Sequence, residues 1–113
     1  MPDSSTIAWR QPWCTVSKKE TKEFEEELKR EVCKEHSLFN RKVKAIGKRV
    51  DCDDVLFHLE DAGTQLAVAH LTWKKESNYN WPSTEFFTSV EDWIKTRMVP
   101  DAEDYESRGY VQD

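Results

Sequence analysis

The chain has 113 residues, room for one domain and no more. Charged residues make up 35% and mean hydropathy is -0.84, yet 12% of the residues are aromatic, which excludes a disordered chain and leaves a small folded protein. A net charge of -5 and a pI of about 5.2 argue against bulk affinity for nucleic acid or an anionic membrane.

The charge is uneven. Residues 1–50 carry 12 Lys and Arg against 8 Asp and Glu, whereas residues 51–113 carry 5 against 14. The acidic second half is therefore the stronger candidate for a complementary partner. Cys14, Cys33 and Cys52 are odd in number and form no CxxC pair, which favours reduced thiols over a disulfide framework or zinc knuckle. No apolar run with a basic flank opens the chain, and no stretch reaches the ~18 apolar residues of a membrane span. The expected location is the cytoplasm.

In chain order, residues 1–16 read as an extended N-terminal arm, frayed over 1–6, whose Trp9 and Trp13 cover part of the core. Pro12 keeps this arm out of a central strand. "SKKE" from Ser17 is a capping box that opens a helix running to about His36. Phe24, Leu28 and Val32 form a narrow apolar stripe on it, with Cys33 beside the stripe. His36 falls in the last turn, where a cation suits the helix dipole.

"RKVKAIGKRV" (41–50) reads as a basic strand, "DCDD" (51–54) as a turn and "VLFHLE" (55–60) as a second strand. Asp61–Gly63 suits a hairpin loop, and "QLAVAHLTW" (65–73) returns antiparallel. A polar loop, "KKESNYNWPS", leads to "TEFF", a brief extended piece. Thr88 or Ser89 caps a second helix with Val90, Trp93, Ile94, Arg97 and Met98 at helical spacing, and Pro100 marks its stop. Residues 101–113 read as a loose acidic tail in which Tyr105 and Tyr110 could dock.

The expected fold class is α+β: a three-stranded antiparallel meander flanked by an N-terminal and a C-terminal helix, in the order arm-α-β-β-β-α-tail and two layers. The single domain spans residues 17–100. "DDVLFHLEDAGTQLAVAHLTW", then Trp-Pro and "VEDWIKTRM", resembles a group of small uncharacterised bacterial cytoplasmic proteins over residues 20–105. In that group an Asp-Asp-Val-Leu-Phe strand precedes an Ala-Val-x-His-Leu-Thr-Trp strand. The resemblance supports the fold and implies no chemistry.

Candidate sites follow from the hairpin. With the loop at 61–63, residue 58 pairs with 66 and 56 with 68, so side chains sort onto two faces. Val55, Phe57, Leu59, Ala67, Ala69, Leu71 and Trp73 share one face, the better core. Leu56, His58, Glu60, Leu66, Val68, His70 and Thr72 share a mixed one. His58, Glu60 and His70 are the alternative ligand-binding set, although the two histidines lie too far apart to chelate one ion. His70 also reads as a structural sheet histidine.

The carboxylates of "DCDD" could hold Mg²⁺ or Ca²⁺, but they lack the spacing of a calcium loop and read as turn chemistry. Acidic neighbours disfavour a Cys52 thiolate. The lysines of 41–50 read as edge protection rather than a nucleic-acid contact. No catalytic motif, cofactor or metal is indicated.

Aromatics mixed with acids in the second half resemble a protein-binding face, with Glu76, Tyr79, Trp81 and Glu85 on the most exposed loop. The expected function is a non-catalytic protein-binding module, of inhibitor, immunity or regulatory type. The expected partner is a protein, or a second copy of the chain joined through the mixed face. The alternative is a small-ligand binder or enzyme using His58, Glu60 and His70.

Overall fold

Ser17 caps α1 (Lys18–Glu31) as its sequence predicts. Its hydroxyl accepts from the Glu20 backbone N–H, and the Glu20 carboxylate accepts from the Ser17 N–H, an arrangement that stabilises the helix by about 1 kcal/mol. The computed structural model describes residues 7–109, so the expectations for residues 1–6 and Tyr110 lie outside the described residues. α1 ends at Glu31 rather than near His36. Val32 turns extended and its N–H closes on the Leu28 carbonyl. His36 therefore leaves the helix dipole and is buried in the connection that follows.

The expected three-stranded meander is corrected to a five-stranded antiparallel sheet. Its strands lie in sequence order: β1 (Trp13–Thr15), β2 (Val43–Arg49), β3 (Asp54–Leu59), β4 (Leu66–His70) and β5 (Ser83–Phe87). The two added strands are the edges. The arm gives three residues to β2, from Trp13↔Arg49 to Thr15↔Gly47, an edge position that the preceding Pro12 permits. The "TEFF" segment pairs along β4 from Leu66↔Phe87 to His70↔Ser83. Neither segment is long or apolar enough to announce itself; pairing with an existing strand is what orders it.

The β3–β4 register is the expected one, with Leu56↔Val68 and His58↔Leu66. Val55, Phe57, Leu59, Ala67, Ala69 and Leu71 pack with Leu28 of α1 and with Val32 just past its end. Trp73 lies about half exposed beyond the end of β4, with its ring beside that of Phe24 on α1. Leu56, Leu66 and Val68 pack on the opposite face with Trp13, Phe87, Trp93 and Met98. The mixed face is thus covered by the chain's own C-terminal helix. The fold has three layers, not two, because both faces of the central hairpin carry aliphatics that need cover.

β2 carries a bulge between Ala45 and Gly47. Ala45 packs on the α1 side, and the bulge leaves both Ile46 and Gly47 on the other, the face of Leu56. The extra residue leaves Gly47 against the Trp9 ring, where a Cβ would lie 2.5 Å from a ring carbon.

The C-terminal helix runs without a break through α2 (Val90–Trp93), a π-helical turn (Ile94–Met98) and α3 (Val99–Ser107). Pro100 does not stop it. The Val99 N–H bonds the Ile94 carbonyl five residues back, and this widened turn accommodates a proline that lacks a donor. Residues 101–107, expected in a loose tail, are helical. Among the described residues no helix is long and apolar enough to cross a membrane.

Candidate functional site

Asp54 opens β3 and His70 closes β4, and the two are register partners. His70 Nδ1 lies 2.7 Å from Asp54 Oδ1. The other carboxylate oxygen of Asp54 accepts from Arg97 Nη2 at 2.9 Å. Arg97 comes from the π-helical turn across the sheet face. It also donates to Asp101 Oδ2 at 3.1 Å and to Glu85 on β5.

Asp101 Oδ2 in turn accepts from Trp13 Nε1 at 2.9 Å and lies 3.3 Å from Arg49 Nη1. Asp51 grips Arg49 through both oxygens. Burial by itself would lower the Arg97 pKa, but Asp101, Glu85 and Asp54 outweigh it and hold the guanidinium firmly charged. Two arginines thus meet four carboxylates, so the cluster keeps an acidic surplus.

Beside this cluster lies a cleft of about 500 Å³ lined by Asp54, Val68, His70, Trp81, Ser83, Glu85 and Arg97. On the other side of Asp54 a second cleft of about 360 Å³ is lined by Cys52, Asp53, Lys48, Phe24 and Trp73. Burial pushes the Cys52 thiol pKa up. His70 itself is about half exposed.

The segment between β4 and β5 is anchored at both ends by buried polar side chains. Glu31 accepts the Thr72 N–H at 2.8 Å and the Thr72 hydroxyl at 3.1 Å on one oxygen, and the Trp73 N–H at 2.8 Å on the other. Its backbone carbonyl takes the Glu76 N–H. Trp73 sits at φ 61°, the left-handed region, and the Glu31 carboxylate satisfies the donors of that bend. Glu31 is fully buried. Burial first, then the neighbouring Glu27 carboxylate, raise its pKa to about 7 against those hydrogen bonds.

At the far end, His36 Nδ1 accepts the Leu38 N–H. Nε2 therefore carries the ring hydrogen and donates to the Pro82 carbonyl at 2.9 Å.

The structure brings together residues that the sequence assigned to separate sites. Trp81 and Glu85, expected to bind protein, line the same cleft as His70, expected to bind ligand. Tyr79 stands 62% exposed and Trp81 46% exposed. Glu76 is held down by its backbone bond and lies near Lys74, with little of its side chain exposed.

His58 and Glu60 are not part of this arrangement. His58 is buried with Nε2 2.7 Å from the Gly63 carbonyl of its own hairpin. Its partner Leu66 is four residues from His70 along β4, roughly 13 Å. Glu60 lies with Lys42 and Val43 at the opposite end of the sheet, in a third cleft.

Arg97, Glu31 and His36 carry the site without having been singled out for it, and Asp54 was weighed only with its neighbours in the "DCDD" turn, not as the partner of His70. Arg97 had a signal: a charge within an otherwise apolar helical stripe implies a buried counter-ion. Asp54 had one too, since extending the hairpin ladder two pairs beyond Leu56 and Val68 sets it opposite His70. Glu31 and His36 bond backbone distant in sequence, which no local pattern announces. Compared with protein-family models, curated proteins and solved structures, the chain matches none.

Proposed function

We propose that this chain is a cytoplasmic protein-binding module whose contact surface is the loop carrying Tyr79 and Trp81 together with the acidic cleft beside it. The observation that supports the reading most is that two large aromatic side chains stay exposed on a segment pinned from beneath by Glu31 and His36. Aromatic anchors held in place before contact lose little conformational freedom on binding. Exposed Phe86 lies on the neighbouring edge strand β5, which offers backbone groups to an incoming strand. The acidic surplus around Asp54, Glu85 and Asp101 selects a partner that is basic where it touches the cleft.

The test is affinity capture from host lysate with the tagged wild-type chain and with a Tyr79→Ala/Trp81→Ala variant, compared at low and raised salt. A protein recovered in stoichiometric amount by the wild type, lost by the variant and weakened by salt supports the reading. Equal recovery by both chains, or no stoichiometric protein, overturns it.

A second reading is small-ligand binding in the cleft. The alternative set of His58, Glu60 and His70 reduces there to His70, whose Nδ1 faces Asp54 while the ring stays half exposed. A ligand shift confined to His70, Trp81 and Glu85 in a fragment screen by NMR would favour it.

A further inference from the structure

The turn before β3 and the end of β4 bring three unlike donors together. One ligand atom from each of Cys52, Asp54 and His70 lies within 4.8 Å of the other two. Asp54 and His70 are fixed by the sheet register, and Cys52 reaches the same place from the exposed turn two residues earlier. We infer that Cys52, Asp54 and His70 form a site for a borderline-soft divalent cation of the zinc class, with a fourth position open to the cleft beside Trp81 and Ser83.

The donor set itself selects the metal. A thiolate and an imidazole beside one carboxylate suit zinc or cobalt and not the oxygen-seeking magnesium or calcium. The acidic turn alone gives only hard ligands at the wrong spacing; His70 across the hairpin and the Cys52 sulfur change its preference. Donors bound to one tetrahedral zinc stand about 3.3–3.8 Å apart, from bond lengths near 2.0–2.3 Å. Cys52 must therefore close on the other two by rotation of its exposed side chain, while His70 Nδ1 and Asp54 Oδ1, now 2.7 Å apart, must open by roughly half an ångström.

The metal would replace the His70–Asp54 hydrogen bond. Arg97 would keep hold of the second Asp54 oxygen, the supporting contact that ligating carboxylates commonly have. Three protein ligands with an open position is the arrangement of zinc sites that bind a further ligand rather than purely structural ones.

The experiment uses the full chain, reduced and stripped of metal, titrated with Co²⁺ and followed by the thiolate-to-cobalt charge-transfer absorption. One saturable equivalent is expected, displaced by Zn²⁺. Cys52→Ser should abolish the band, and His70→Ala should weaken binding at least ~100-fold, the upper end of the loss from removing a mere supporting group. Cys14→Ser and Cys33→Ser should leave it intact. Both Cys52 and His70 are exposed enough for their variants to fold, which near-ultraviolet circular dichroism checks.

Absence of a saturable band, or its persistence in Cys52→Ser, overturns the site. Tyr79→Ala, which weakens the proposed protein contact outside the cleft, should bind Co²⁺ as the wild type does. The metal site and the binding-module reading therefore stand or fall separately.

Discussion

His70 and Asp54 meet across the end of the β3–β4 ladder with nitrogen and oxygen 2.7 Å apart, and Arg97 holds the other side of the same carboxylate. Asp54 joins the sheet to the C-terminal helix, and its side chain and that of Arg97 are both largely buried. Asp54→Asn keeps the shape but removes the charge that offsets Arg97. The expected loss is about 2 kcal/mol in urea unfolding, that of a hydrogen bond to a charged group and less than a broken buried ion pair, because Glu85 and Asp101 still face Arg97. Arg97→Lys should cost a similar amount, because an ammonium cannot reach Asp54, Glu85 and Asp101 from one planar group. Wild-type stability in both variants would mean that the network is a surface feature of no energetic weight.

Gly47 tests the packing of the N-terminal arm. A methyl group there meets two carbons of the Trp9 ring, at 2.5 and 2.7 Å. Either the ring moves or the bulge does, so Gly47→Ala should destabilise by about 1–3 kcal/mol, as overpacking does. The cost should shrink in a Trp9→Ala background, which removes the obstructing ring. That non-additivity in a double-mutant cycle identifies the contact as the cause. Equal costs in both backgrounds would place the effect in the backbone of β2 instead.

The central hairpin was legible because two apolar runs flank a short loop that fixes one register, sorting His58 and His70 onto the same face. The edges were not. Trp13–Thr15 and Ser83–Phe87 are strands only because β2 and β4 present unpaired backbone to them, a fact about neighbours and not about their own residues. Pro100 misled in the opposite direction. A proline ends an ordinary helix, but a π-helical turn just before it absorbs both its missing donor and its ring. His70 was visible as a residue, whereas its partners are scattered: Asp54 opens the preceding strand and Arg97 comes from a helix 43 residues further on. A site assembled from the ends of several elements leaves no motif of its own in the chain.

Glu31 makes stability depend on pH in a predictable sense. Its pKa is about 7 in the folded chain against an ordinary 4.5, so the folded state binds this proton more tightly than the unfolded one. The contribution is complete below about pH 4.5 and is lost as pH rises through about 7. The urea midpoint should therefore fall between pH 5 and pH 8, and Glu31→Gln should flatten that part of the profile. The same variant should be less stable at pH 5 by about 1–3 kcal/mol, the cost of one buried donor left unpaired. A protonated carboxyl still has two oxygens that accept from the Thr72 and Trp73 N–H groups, whereas an amide has one. A Glu31→Gln profile parallel to that of the wild type would show that the carboxyl keeps an ordinary affinity for its proton despite full burial.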